Sequence, residues 1–208
     1  MTTSRCDFLD HTRLRDSPAL RTLAVDKLFE IALEGSARFR LEFNAHRLLP
    51  ILGPACTAAL LPGQAASARG PLERRDESLD HDRARLLRKV MSFGPGEWPD
   101  PPINYINRVI LFDRQGKIIL RASDSAEFIL FALPPERRDA LVEGYRAAGI
   151  PANIIEPVDV DINAAVQPLC LRLHIAARAR PTRETVNSYS RRPAWIRSAA
   201  EGETLAVT

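Results

Sequence analysis

The residues able to do chemistry in this chain are thinly spread, and arginine is the exception. The four histidines, His11, His46, His81 and His174, stand far apart, and no two have metal-ligand spacing. Each reads as a surface or hydrogen-bonded histidine rather than a ligand. The three cysteines, Cys6, Cys56 and Cys170, are odd in number and lack CxxC spacing, so neither a disulfide framework nor a zinc site is indicated. Cys56 and Cys170 stand among Ala, Leu and Pro and read as packing residues. Ser36 and Ser123 lack the G-x-S-x-G setting of an activated serine. Gly94-Pro-Gly96 has no Lys-Ser/Thr after it and is not a phosphate loop. What remains is anion recognition. Arg108 opens an apolar, β-branched run, and Arg121 lies at the far end of the run that follows. A guanidinium donates two parallel hydrogen bonds to a carboxylate and stays charged when partly desolvated. The commoner role of such an arginine is to face water at a strand edge. Both on one face would be a stronger signal than either alone.

The element that must position them is a β-hairpin over Asn107–Ser123. Arg108-Val-Ile-Leu-Phe112 and Lys117-Ile-Ile-Leu-Arg-Ala-Ser123 are strand-like, and Asp113-Arg-Gln-Gly116 places glycine where a short loop wants a positive φ. Period-2 alternation puts Arg108 on one face with Ile110 and Phe112. If that face is the inner one, a charge borders an apolar lining, as a pocket for an aromatic acid requires.

Around the hairpin, Ser17-Pro18 starts a helix that Gly35 ends, with Leu20, Leu23, Ala24, Leu28, Ile31 and Ala32 at helical spacing. Ala37–Phe43 reads as a short helical or extended piece, and Leu48–Leu52 as a strand. From Pro62 to Pro102, glycines, prolines and a dense charge run predict a long surface excursion with one short helix near Asp80–Met91. Leu133-Pro-Pro starts a further helix that Gly149-Ile-Pro151 terminates. Strands are expected at Ile154–Val160 and Leu169–Ile175, with a last extended piece at Glu203–Thr208. Together these predict an α+β fold: an antiparallel sheet with helices packed on one side, in a single domain over 1–208 that carries the 62–102 excursion.

A chain of 208 residues with a net charge of +3 is long enough for one sizeable core and too mildly basic to imply nucleic acid by itself. The N-terminal ten residues include Arg5, Asp7 and Asp10 and have no apolar signal segment, and no run is long enough to span a membrane. A cytoplasmic protein is expected. Arg172, Arg178, Arg180, Arg183, Arg191, Arg192 and Arg197, with Tyr189 and Trp195 among them, could track a nucleic-acid backbone. The small net charge and the lack of a recognition-helix motif favour a solvated face instead. A non-catalytic interaction or regulatory protein, docking a protein partner through 64–96 or the Arg-rich C-terminal third, is the alternative to a small-ligand protein.

Three stretches, in order, carry a resemblance. Leu28-Phe-Glu-Ile-Ala-Leu-Glu34-Gly35-Ser36 is similar to a helix closing in an acidic-small-Ser turn. Asn104-Tyr-Ile-Asn-Arg108-Val-Ile-Leu-Phe-Asp-Arg-Gln-Gly116-Lys-Ile-Ile-Leu-Arg-Ala122-Ser is similar to a central hairpin whose first strand opens on Arg. Trp195-Ile-Arg-Ser-Ala-Ala-Glu-Gly202-Glu-Thr-Leu-Ala-Val-Thr208 is similar to a final hairpin. In this the chain resembles the chorismate lyase-like family, whose fold is shared by ligand-sensing domains of bacterial transcription regulators. The resemblance implies elimination of pyruvate from chorismate to give 4-hydroxybenzoate, a step of ubiquinone biosynthesis, with no metal or organic cofactor. It implies that Arg108 binds the carboxylate of a small anionic ligand. The family's final-strand Glu would follow Thr208, and Ala37 stands where the family has another substrate contact. The resemblance therefore points to binding more strongly than to catalysis.

Overall fold

In the computed structural model the described residues are 6–62, 72–94, 96–160 and 162–163. The chain divides into two units, Met1–Ala164 and Ala165–Thr208, and every described residue belongs to the first. The strands expected at 169–175 and 203–208, Cys170, His174 and the C-terminal arginines lie outside the described residues.

Seven strands form one sheet: β1 (Cys6–Leu9), β2 (Arg38–Asn44), β3 (Leu72–Ser78), β4 (Ile106–Phe112), β5 (Ile118–Ser123), β6 (Phe128–Phe131) and β7 (Ile155–Val158). Their order is β3-β2-β4-β5-β6-β1-β7, and every neighbouring pair is antiparallel. Among the described residues four α-helices accompany the sheet in an α+β fold: α1 (Pro18–Glu34), α2 (Ala45–Leu60), α3 (His81–Val90) and α4 (Pro135–Ala147).

Alternation along the strands divides the sheet into two faces. Phe39, Leu41 and Phe43 of β2, Val109 and Leu111 of β4, Leu120 and Ala122 of β5, and Ile129 and Phe131 of β6 point into one core. That core also holds Val25, Leu28 and Phe29 of α1, Leu87 and Val90 of α3, and Leu141 and Tyr145 of α4. The buried Tyr145 hydroxyl donates to the carbonyl of Ala24 at 2.7 Å and so ties α4 to α1. Burial holds that phenol above its ordinary pKa. At the sheet's other end Asp7 of β1 accepts two hydrogen bonds from Arg138 of α4, at 2.6 and 3.2 Å. Phe8, Ile110, Phe112, Phe128, Leu130 and Val158 are buried too, but they occupy the opposite face, outside the helix-packed core.

The central hairpin forms as its residues dictate. Asp113 Oδ1 accepts from the amides of Gln115 and Lys117, both at 2.8 Å, and Gly116 takes φ 78°. A side chain at that φ would be strained, so glycine sets the turn. Gly149, at φ 70°, ends α4 as expected, and the Ile150 amide reaches back to the Tyr145 carbonyl at 2.8 Å.

Two expectations are corrected. Leu48–Leu52 is not a strand but the first half of α2. Asn44 caps that helix by accepting from the Arg47 amide, and Leu48 and Leu52, four residues apart, bury on one face. Gly53, with φ 73° and ψ 168°, breaks the helix before Pro54 restarts it. The 62–102 stretch is more than a surface excursion, because β3 pairs with β2 over seven residues and α3 contributes Leu87 and Val90 to the core. Glu73–Glu77 are all charged, on both faces of the strand that is outermost among the described residues, which suits an edge that must resist pairing with another chain.

The N-cap of α3 gives a direct test. Asp80 Oδ1 accepts from the Arg83 amide at 2.8 Å. Asp80→Ala is expected to lower unfolding free energy by about 1 kcal/mol, as loss of such a cap does. Urea denaturation reads this, and an unchanged midpoint would show that the cap is idle.

The link from β5 to β6 was not legible. Asp124, Ser125 and Ala126 all have positive φ, at 53°, 57° and 56°. For non-glycine residues this costs roughly 1–2 kcal/mol each. The turn is held from several sides. The Asp124 amide donates to Asn107 O at 2.8 Å, the Ser125 amide to Ile106 O at 3.1 Å, and Ser125 Oγ to Asn104 O at 3.2 Å.

Candidate functional site

Arg108 lies near the start of β4, on the face away from the helices, with Ile110 and Phe112 following on that face. The register places Glu42 of β2 directly across from it on one side and Ser123 of β5 on the other. Arg121 lies opposite Ile110, so it shares this face and stands diagonal to Arg108. The two arginines singled out from the sequence are thus neighbours.

Glu42 was not singled out, and it organises the site. Both of its carboxylate oxygens meet one nitrogen of Arg108, with Oε2 at 3.0 Å and Oε1 at 3.3 Å from Nη1. The pair is largely sheltered, with side-chain exposures of 27% for Arg108 and 16% for Glu42, so it is screened less than a surface pair. The Nε of Arg108 is buried and has no hydrogen-bond partner. An unspent buried donor is costly and uncommon. It belongs to the Nε–Nη2 edge, the edge with which guanidinium grips a carboxylate in two parallel bonds.

Arg121 is buried, at 9% exposure. Burial first, and the Arg108 charge second, hold its guanidinium below its ordinary pKa, while Glu42 opposes the shift. Arginine's ordinary value is so high that the group remains a cation. Two guanidinium groups therefore sit together around one carboxylate.

The same face grades from charged to apolar across the strands. Toward β3, Arg40 binds Asp76 through two nitrogens at 2.5 and 3.1 Å, which holds the Asp76 carboxyl below the usual range. Arg38 and Arg40 lie 4.6 and 5.4 Å over the Phe112 ring. Toward β1, Phe8 and Phe128 stack at 4.8 Å, and Leu130 lies between Arg121 and Phe8 in register. Arg108, Glu42 and Arg121 stand where charge gives way to apolar side chains.

The other candidates do not assemble. His46 and His81 are exposed and His11 is buried, each in a different part of the fold. Among the described residues no group of three or more His, Cys, Asp or Glu side chains gathers as a metal site would. No helix among them is long and apolar enough to cross a membrane. Ser36 donates to the Ala32 carbonyl at 2.8 Å, a helix-end contact, and Ala37 begins no site. A groove of about 400 Å³ does lie between α1 and α3, lined by Leu33, Glu34, Leu79, Asp80, His81 and Arg85 among others. Its polar groups are largely spent on the fold, for Glu30 pairs with Arg88 at 2.9 Å and Asp80 caps α3. Among the described residues Thr57 Oγ1, Arg75 Nε and Arg108 Nε are buried without a partner, and of these Arg108 is the one beside a second buried arginine, Arg121, so chemistry outranks concavity in choosing between the two. Comparison with known protein families, with curated proteins and with solved structures finds no match to this chain.

Proposed function

We propose that this chain binds a small aromatic or enolic carboxylate on the face of the sheet away from the helices, with Arg108 as the anion anchor. The observation that carries the reading is the buried, unpartnered Nε of Arg108 beside the second cation of Arg121. Glu42 orients Arg108 through Nη1, and the covered Nε meets a ligand carboxylate only once the neighbouring side chains move aside. The apolar side chains next to it, Ile110 on the same strand and Leu130 beyond Arg121, suit the ring of such a ligand. The resemblance of the central hairpin to the chorismate lyase-like family points to the same class of ligand. Its catalytic form is loss of pyruvate from chorismate to leave 4-hydroxybenzoate.

Thermal unfolding with 4-hydroxybenzoate tests the binding. At roughly ten times Kd a single site adds about 1.4 kcal/mol of stability, a rise of about 3–6 °C for a domain of this size. Arg108→Ala is expected to abolish the rise, and Arg108→Lys, which keeps the charge but not the fork, to retain only part of it. An equal rise in wild type and Arg108→Ala would remove Arg108 from the site. Incubation with chorismate at high protein loading tests the catalytic form, and absence of 4-hydroxybenzoate would confine the function to binding.

A further inference from the structure

We propose that His11 is a proton-operated latch that holds the start of α1 and the segment around Phe93 against the β5–β6 turn, and that acid releases it. His11 lies in the 3-10 turn His11–Leu14 and is fully buried. Its Nε2 is 2.8 Å from the carbonyl oxygen of Ala126, in the left-handed turn. The Nε of Arg21, on α1, donates to His11 Nδ1 at 3.0 Å. These two contacts define the tautomer. Arginine can only donate, so Nδ1 must be the acceptor, and the ring proton sits on Nε2 and points at Ala126. The Arg21 guanidinium lies 4.8 Å over the Phe93 ring, whose centroid is 5.9 Å from that of His11. One neutral imidazole therefore joins four pieces of chain: its own turn, α1, the segment after α3, and the β5–β6 turn.

Only the neutral ring can make both bonds. Once protonated, Nδ1 becomes a donor, loses Arg21 and sets two cations against each other in a buried place. The bond from Nε2 to Ala126 survives protonation, so the junction opens at Arg21 and Phe93 and not at the turn. The charged groups that face the ring are Arg21 from α1, Asp10 beside it and Glu127 from the β5–β6 turn, and the segment after α3 presents the Phe93 ring. Burial is the largest influence and lowers the histidine's pKa. The Ala126 bond raises it, Arg21 lowers it further, and Asp10 and Glu127 raise it, with the balance below the ordinary 6.5. The folded chain thus takes this proton less readily than the unfolded chain. The stabilisation from the neutral ring is intact above the ordinary histidine value and is lost as pH falls from there through the lower native one.

Hydrogen–deuterium exchange, corrected for the intrinsic pH dependence, tests the latch at about pH 7.5 and about pH 5. Peptides covering 11–24 and 88–94 are expected to exchange faster at the acid condition than at the neutral one. Peptides covering 106–123 are expected to keep their protection. His11→Gln can donate to Ala126 and accept from Arg21 without titrating, so its exchange should be flat between the two conditions. An acid response retained in His11→Gln, or absent from the wild type, overturns the proposal. Should His11→Gln not fold, the imidazole resonances of wild-type His11 and of Arg21→Met decide the question. The wild-type ring should titrate below 6.5, and Arg21→Met should titrate higher. A wild-type His11 titrating at or above 6.5 overturns the latch.

Discussion

Replacing Phe131 by alanine is expected to remove about 3–5 kcal/mol of unfolding free energy, the range found when a buried aromatic side chain is cut back. Phe131 is fully buried on β6, with Leu120 across from it on β5 and Asp7 across from it on β1, and its ring belongs to the core shared with the helices. The neighbours cannot collapse into the space. Both flanking strands are hydrogen-bonded in register, and Asp7 is held by two bonds to Arg138. The loss is therefore apolar transfer plus an unfilled cavity. Against a total stability of about 5–15 kcal/mol for an ordinary domain, this is a large share. Urea denaturation with an unchanged slope is the measurement. Phe131→Leu, which keeps most of the volume, should lose well under half as much. A loss below about 1.5 kcal/mol for alanine would mean that the site relaxes freely, contrary to close packing between two strands.

The same region shows what the sequence could and could not reveal. The central hairpin was legible because its turn carries two local signals, Asp113 accepting from two amides and Gly116 at positive φ. The end of α4 was legible for the same reason, through Gly149. The β5–β6 turn carries no such mark. Asp124, Ser125 and Ala126 take left-handed geometry with side chains present, because contacts from Asn104, Ile106, Asn107 and His11 impose it. No propensity argument reaches a conformation set by tertiary contacts, so β6 and its partner β1 went unseen. Leu48–Leu52 fails in the other direction. An apolar run of that length fits a buried strand or a buried helix, and only the Asn44 cap separates the two. Arg108 was legible as a charge on an apolar strand, yet Glu42 was not singled out. Arg38-Phe-Arg-Leu-Glu-Phe-Asn44 does alternate charged or polar with apolar residues, which could have placed Glu42 on a polar face. Its pairing with a residue 66 positions away depends on strand order, which no local pattern encodes.

Glu42→Gln should make the protein less stable and at the same time a better anion binder. In the native chain Glu42 neutralises one of two adjacent guanidinium groups. Removing its charge while keeping its shape leaves Arg108 and Arg121 facing each other, sheltered from water, with weaker compensation. Breaking a fully buried pair costs about 3–5 kcal/mol. With 27% and 16% of the two side chains exposed, solvent screening reduces the expected loss to about 1–2 kcal/mol. The glutamine oxygen can still accept from Nη1, so Arg108 keeps its orientation and its Nε edge. A ligand carboxylate arriving there no longer meets a resident negative charge. Two unit charges 4–6 Å apart interact by about 3–4 kcal/mol at an effective dielectric of 20, and exposure and salt bring this to about 1 kcal/mol, or roughly fivefold in affinity. The two effects have opposite signs in one variant, which separates an anion site from a structural ion pair. For a structural pair, Glu42→Gln lowers the melting temperature, and 4-hydroxybenzoate or benzoate restores none of it. For an anion site, the melting temperature starts lower and rises further with ligand than in the wild type. The extra rise must shrink as salt is added, since the gain is electrostatic; an extra rise independent of salt would place the ligand somewhere other than beside Arg108.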